Sequence, residues 1–270
     1  MVASKAQVVI QDLEDGTPAH LRAQARAMVP GLFQALRAAG SMVCVRINLL
    51  SEDGLLDLEH VMPHRPDVIA YPKAERALDM VVLSDHLTQL ERKHGITPGQ
   101  TEILPVCETA LGVVEVRALA AATPRIRAAL LGTEDLATDL QAERGTDGVE
   151  LDHARRRFLL ECRAARIEPV DAPYTFADTP GAVAEARYAR RLGYKTKSVV
   201  NTEMVGSVQQ VLMPSPEDIE LARETVALFE AARASGEDRA LVRGLWVEVP
   251  TYMNSRRLLA RAQELSGIVR

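Results

Sequence analysis

Seven short apolar runs, separated by longer amphipathic stretches, set the frame for this chain. They lie at residues 7–13 (QVVIQDL), 42–48 (MVCVRIN), 67–71 (DVIAY), 102–107 (EILPVC), 128–132 (AALLG), 167–171 (IEPVD) and 197–201 (KSVVN). Within them apolar residues follow one another instead of alternating with polar ones. That pattern predicts strands buried on both faces, hence a parallel sheet covered by helices. The Ala-, Arg-, Leu- and Glu-rich segments between them predict helices at 19–39, 77–94, 110–122, 151–166 and 181–192. Strand and helix in alternation predict an α/β fold with right-handed crossovers. After Asn201 the rhythm changes. Pro214-Ser215-Pro216-Glu217-Asp218 is a helix-start signal, with prolines followed by acids. Helices are predicted at 219–234 and 254–265, with a short apolar segment at 245–249. The reading is a barrel-type domain over 1–212 and a C-terminal helical extension over 213–270.

The chain of 270 residues, 47% hydrophobic and 26% charged, has enough apolar material for a large core. Its net charge of -5 leaves no basic excess for a phosphate backbone, so nucleic acid is not an expected partner. No run of about 18 apolar residues is present, so no membrane span is expected. Cys44, Cys107 and Cys162 are odd in number and far apart. With an N-terminus that lacks a signal-type apolar region, they point to a reducing, cytoplasmic setting.

Polar residues gather at the C-terminal ends of the apolar runs: Asp12, Glu14 and Asp15; Arg46 and Asn48; Lys73 and Glu75; Glu108; Glu134 and Asp135; Asp171; Asn201 and Glu203. In a barrel of parallel strands these ends converge on the face that carries active sites. Most are acids, which suggests a cation site. Glu108 and Asp135 follow consecutive strands about 5 Å apart, close enough to share one small cation such as magnesium. The alternative is that they cap the helices that follow, a job Thr109 or Thr133 does equally well.

Arg46 interrupts an apolar run and needs a partner. Its planar fork suits a carboxylate, either from a substrate or from the acidic segment DLED. Glu14 and Asp15 read either as a solvated helix start or as acceptors for metal-bound water. Lys73 reads as an ion-pair partner, a substrate-charge partner or a Schiff-base lysine. No phosphate-binding glycine loop, nucleophile elbow or zinc-protease motif occurs. His60 and His64 are separated by Pro63 and make no helical metal pair, and Cys107 reads as strand packing.

Taken in order, the segments VVIQDLEDGTP (8–18), VRIN (45–48), YPKAE (71–75), ILPVCETALGV (103–113), LLGTEDLATDL (130–140), ARRLGYKTK (189–197) and LMPSPEDI (212–219) make the chain resemble a known family. It is similar to the citrate lyase beta subunit-like (CitE-like) family of the HpcH/HpaI aldolase superfamily, which includes malyl-CoA and citramalyl-CoA lyases. The resemblance implies a TIM-like (β/α)8 barrel. Because the chain begins almost at the DLED strand, that barrel is expected to lack its usual first strand–helix unit. It also implies magnesium-dependent carbon–carbon lyase or aldolase chemistry on a 2-oxo or 2-hydroxy acid, with an acyl-CoA thioester.

On this resemblance Glu108 and Asp135 are the metal ligands, and Glu14 and Asp15 receive metal-bound water. Arg46 grips the acid's carboxylate, with Gly132, Thr133, Glu134 and Lys73 also on the substrate. Glu248 takes the place of a C-terminal aspartate that shuttles the enolate proton from a neighbouring subunit, so a homo-oligomer, trimer or hexamer, is expected. Asp15 and Arg46 join Glu248 as catalytic candidates, and Lys197 is kept from a CoA-binding segment that is otherwise altered. That alteration keeps a thioester hydrolase and a non-catalytic relative open as alternatives.

Overall fold

The structure, a computed structural model, describes residues 4–268. Its elements run β1 (Val8–Asp12), α1 (Arg22–Ala38), β2 (Met42–Arg46), α2 (Gly54–Val61), β3 (Val68–Tyr71), α3 (Ala77–Lys93), β4 (Glu102–Cys107), α4 (Ala110–Val114), α5 (Val116–Ala121), β5 (Ala128–Leu131), α6 (Glu134–Asp139), α7 (Asp152–Ala165), β6 (Glu168–Asp171), α8 (Thr179–Leu192) and β7 (Thr196–Lys197). Then come α9 (Val205–Leu212), α10 (Pro216–Ala234), β8 (Ala240–Val242), β9 (Leu245–Val247) and α11 (Val249–Ile268). By internal contacts the chain divides into two compact units, Met1–Gln209 and Gln210–Arg270.

In the first unit all seven strands pair in parallel and in sequence order, β1 to β7. That is the strand order of a TIM-like barrel. Among the described residues no eighth strand joins the two edges. The two sheet faces carry separate apolar clusters. Val9, Val43, Val45, Ile69, Ile103, Ala129 and Leu131 pack outward against the helices. Cys44, Val68, Ala70, Leu104, Val106 and Leu130 fill the inner face, with Ile10 and Val170 beside them. This two-sided burial is why the strands read as continuous apolar runs.

Alternation along a strand then fixes which polar residues face inward. Asp12 follows Ile10 by two residues, Arg46 follows Cys44, and Glu108 follows Val106. Each carries the inner-face parity past the last apolar layer.

Several elements differ from the sequence reading. β7 is only Thr196–Lys197, and residues 198–201 leave the sheet. The predicted helix over 110–122 is broken into α4 and α5 at Glu115. α2, α6 and α9 were not foreseen, because each is six to eight residues long and too short for a helical period to stand out.

In the second unit β8 and β9 form an antiparallel hairpin across Arg243 and Gly244, whose φ values are 45° and 81°. Two central residues at positive φ make the tight turn whose twist matches that of the strands. α10 starts from a capping box in which Ser215 accepts from the Asp218 amide and Asp218 accepts from the Ser215 amide.

Candidate active site

The mouth of the first unit is built on Asp12 and Arg46, which are direct neighbours in the β1–β2 ladder. Arg46 Nε donates to Asp12 Oδ1 at 2.8 Å and its Nη2 to Asp12 Oδ2 at 2.6 Å. Its Nη1 lies 3.1 Å from Glu14 Oε2. Burial works against the guanidinium charge, but Asp12 and Glu14 outweigh it and hold Arg46 firmly protonated. A guanidinium has five N–H groups. Its bonds to Asp12 use Nε and Nη2, so N–H groups remain on the two terminal nitrogens.

Lys73 ties the mouth together. Its backbone is left-handed, with φ at 47°, a conformation uncommon outside glycine and worth a functional question. In that pose its amide N–H donates to Glu108 Oε1 at 2.9 Å. Its ammonium reaches Glu14 Oε1 at 2.5 Å, Asp15 Oδ2 at 2.8 Å and Asp135 Oδ2 at 3.5 Å. Four carboxylates from three loops therefore meet around one residue. Burial would lower the Lys73 pKa, but Asp15 and Glu14 reverse that and raise it. Asp15 in turn sits below the usual carboxylate range, chiefly through its bond from Lys73.

Glu108 is 4% exposed. Burial pushes its carboxyl up to about 7, against the Lys73 amide and Arg46, with Asp135 adding to the rise. It does not cap α4: Thr109 does, accepting from the Gly112 amide at 3.0 Å. Thr133 gives α6 no side-chain cap, and its buried Oγ1 has no partner. Gly132 is required where it stands, because a Cβ there would lie 2.5 Å from Glu108 Cβ and 2.7 Å from its Oε2. Its missing Cβ lets the Glu108 side chain lie directly against the backbone there.

Not every expected residue joins this group. The Gly132 amide is used within the sheet, on Cys107 O at 3.1 Å, so it is not free for a substrate. Glu134 turns to Arg144 and Thr175, at 3.1 and 2.6 Å. Lys197, expected at a CoA site, has a side chain only 1% exposed. Its ammonium is held by Asp171 and Glu185, both at 2.8 Å, so it presents no charge to a phosphate. Arg155 completes this network on Asp171 at 2.6 and 2.7 Å. Glu248 lies in the second unit, exposed, between β9 and α11. Among the described residues no group of three or more His, Cys, Asp or Glu side chains is arranged as a metal cage. Asp57 and Arg26, which brace the mouth from behind, carried no signal in the sequence.

The HpcH/HpaI aldolase/citrate lyase family matches residues 1–202. The chain belongs to this family. The beta subunit of Escherichia coli K12 citrate lyase is 32% identical over 265 residues, 97% of this chain and 87% of that one. The L-malyl-CoA/beta-methylmalyl-CoA lyase of Cereibacter sphaeroides ATCC 17025 is 30% identical, covering 99% of this chain and 91% of its own. Among solved structures, CitE of Mycobacterium tuberculosis in complex with magnesium, acetoacetate and coenzyme A superposes with a TM-score of 0.75. It is 28% identical and covers 97% of this chain and 91% of that one. Membership in the HpcH/HpaI family agrees with the parallel strand order and with the cluster at the strand ends.

Proposed function

We propose that this member of the HpcH/HpaI family is a magnesium-dependent carbon–carbon lyase. Its substrate would be a CoA ester that carries a 2-hydroxy acid unit of the malyl type. The convergence of four carboxylates on Lys73 carries this reading, Glu14, Asp15 and Asp135 on its ammonium and Glu108 on its backbone amide, because it marks a place built for positive charge. The names of the lyase relatives support the reaction class.

The residues fit a hard dication. Glu108 and Asp135 are carboxylate donors of the kind magnesium takes in ones or twos, with water and substrate oxygens completing the shell. Magnesium, when bound, acts as a Lewis acid on the 2-oxygen of the acid.

The chain's own groups do the rest. Arg46, locked by Asp12 and Glu14, offers the remaining N–H groups of its terminal nitrogens to the acid's carboxylate. Glu14 and Asp15 accept hydrogen bonds from water around the ion. Lys73 balances the acids through charge, and its firm protonation speaks against a Schiff-base role. Glu248 would move the proton at the enolate carbon from a second copy of the chain, which makes the active form a homo-oligomer.

The test is cleavage of malyl-CoA by the purified chain, followed by release of glyoxylate and acetyl-CoA. EDTA and Glu108→Ala should each abolish it, and magnesium should restore the EDTA-treated enzyme. Full activity under chelation would refute the metal, and free thiol without an oxo acid would point to thioester hydrolysis.

A further inference from the structure

Behind the acidic mouth lies a buried chain of polar side chains that touches neither substrate nor the proposed ion. It begins at Gly54, the first residue of α2. A Cβ on Gly54 would stand 2.4 Å from Asn48 O and 2.7 Å from Leu49 O. Glycine therefore lets α2 start directly against the end of β2. One turn further on, α2 delivers Asp57, which is wholly buried.

Asp57 Oδ2 accepts from the Asn48 amide at 2.8 Å and from Asn48 Nδ2 at 2.7 Å. Its Oδ1 accepts from Arg26 Nε at 2.7 Å, which balances the charge. Asn48, equally buried, donates its second Nδ2 hydrogen to Leu13 O at 2.8 Å.

The Leu13 carbonyl belongs to the same peptide unit as the Glu14 amide, and that amide donates to Asp12 Oδ1 at 3.0 Å. The Leu13–Glu14 peptide is thus held from both sides. Asn48 holds its oxygen, and Asp12, itself forked by Arg46, holds its nitrogen. A buried ion pair is a costly way to gain stability, since an apolar pair of similar volume often serves as well or better. Here it fixes the direction in which Glu14 leaves the backbone.

We propose that Asn48 and Asp57 are positioning residues: through the Leu13–Glu14 peptide they aim the Glu14 carboxylate at the cation site. The inference rests on the magnesium reading above. Its test therefore measures magnesium binding directly, and not only turnover.

Full-length Asn48→Ala, Asp57→Asn and Glu91→Gln are titrated with magnesium alone by calorimetry, beside thermal melts. Glu91 is a matched control. It is also a wholly buried carboxylate, taking Arg125 at 2.7 Å and the amides of Gly99 and Thr101, but it lies near the start of β4, away from the mouth. The expected result is a magnesium Kd raised about tenfold in Asn48→Ala and Asp57→Asn, the low end for losing a partner behind a metal site. Glu91→Gln should lose comparable thermal stability with its affinity unchanged. Excess magnesium should also restore cleavage by the two mouth variants.

Unchanged affinity in both mouth variants overturns the inference, and so does an equal loss in Glu91→Gln. If Asn48→Ala fails to fold, Asp57→Asn and the milder Asn48→Ser decide it in the same way. A wild-type chain that binds no magnesium overturns the functional reading and this inference together. Tight binding by wild type and variants alike overturns the inference only.

Discussion

The Lys73 amide donates to Glu108 Oε1 across 2.9 Å, from a backbone turned to a φ of 47°. A lysine held in that region is strained, and the strain gives a single residue four contacts: its amide on one acid and its ammonium on three others. The acidic mouth is therefore a coupled unit, in which moving one group disturbs the rest.

Gly132→Ala tests that coupling from the outside. The added methyl collides with Glu108 Cβ and Oε2 and must displace the side chain. We expect a loss of about 1–3 kcal/mol in stability, as for overpacking elsewhere. Magnesium binding should fall with it. Chemical denaturation and calorimetry on the same sample check both.

Arg46→Lys keeps the charge and loses the fork. A single ammonium does not make both bonds to Asp12 and still present donors to a substrate. Loss of charge-assisted hydrogen bonds worth about 2 kcal/mol predicts a fall of roughly thirtyfold in kcat/KM for malyl-CoA cleavage. Steady-state kinetics measure it, and activity within twofold of wild type would contradict the assigned role.

The Lys197 network predicts a pH-dependent stability. Burial would raise the Asp171 pKa, but Lys197 and Arg155 outweigh it and hold the carboxyl below its usual range. A depressed folded-state pKa contributes stability above the unfolded value, near 3.9, and that contribution fades as pH falls through the folded value. Lys197→Met leaves Asp171 with one cation fewer. We expect a cost of about 3–5 kcal/mol at pH 7 by urea unfolding, and acid unfolding that starts at higher pH.

Glu248 lends itself to a mixing experiment. Glu248→Ala and Glu108→Ala should each be inactive alone. Unfolded together and refolded as mixed oligomers, they should regain part of the wild-type rate, because some sites then combine an intact mouth with an intact Glu248. No recovery would place Glu248 outside the reaction or within its own subunit's site.

Much of this was legible beforehand. Continuous apolar runs gave seven parallel strands, because a strand buried on both faces has no polar side to show. The gathering of polar residues at the strand ends, Asp12, Arg46 and Glu108 among them, was legible as well, and the structure shows that these three share the inner face. Tertiary contacts decided the rest. The sequence left Arg46 open between substrate and DLED, and the ladder pairing sets it against Asp12. The resemblance places Lys197 in a CoA-binding segment, yet β6 and α8 bury it between Asp171 and Glu185.

The sequence by itself determined where the strands fall and that they are buried on both faces, since both follow from local hydrophobic pattern. Only the tertiary structure decided which charges meet. Salt bridges join residues tens of positions apart, as with Lys73 and Glu14 or Arg26 and Asp57, and no local period records such a pairing.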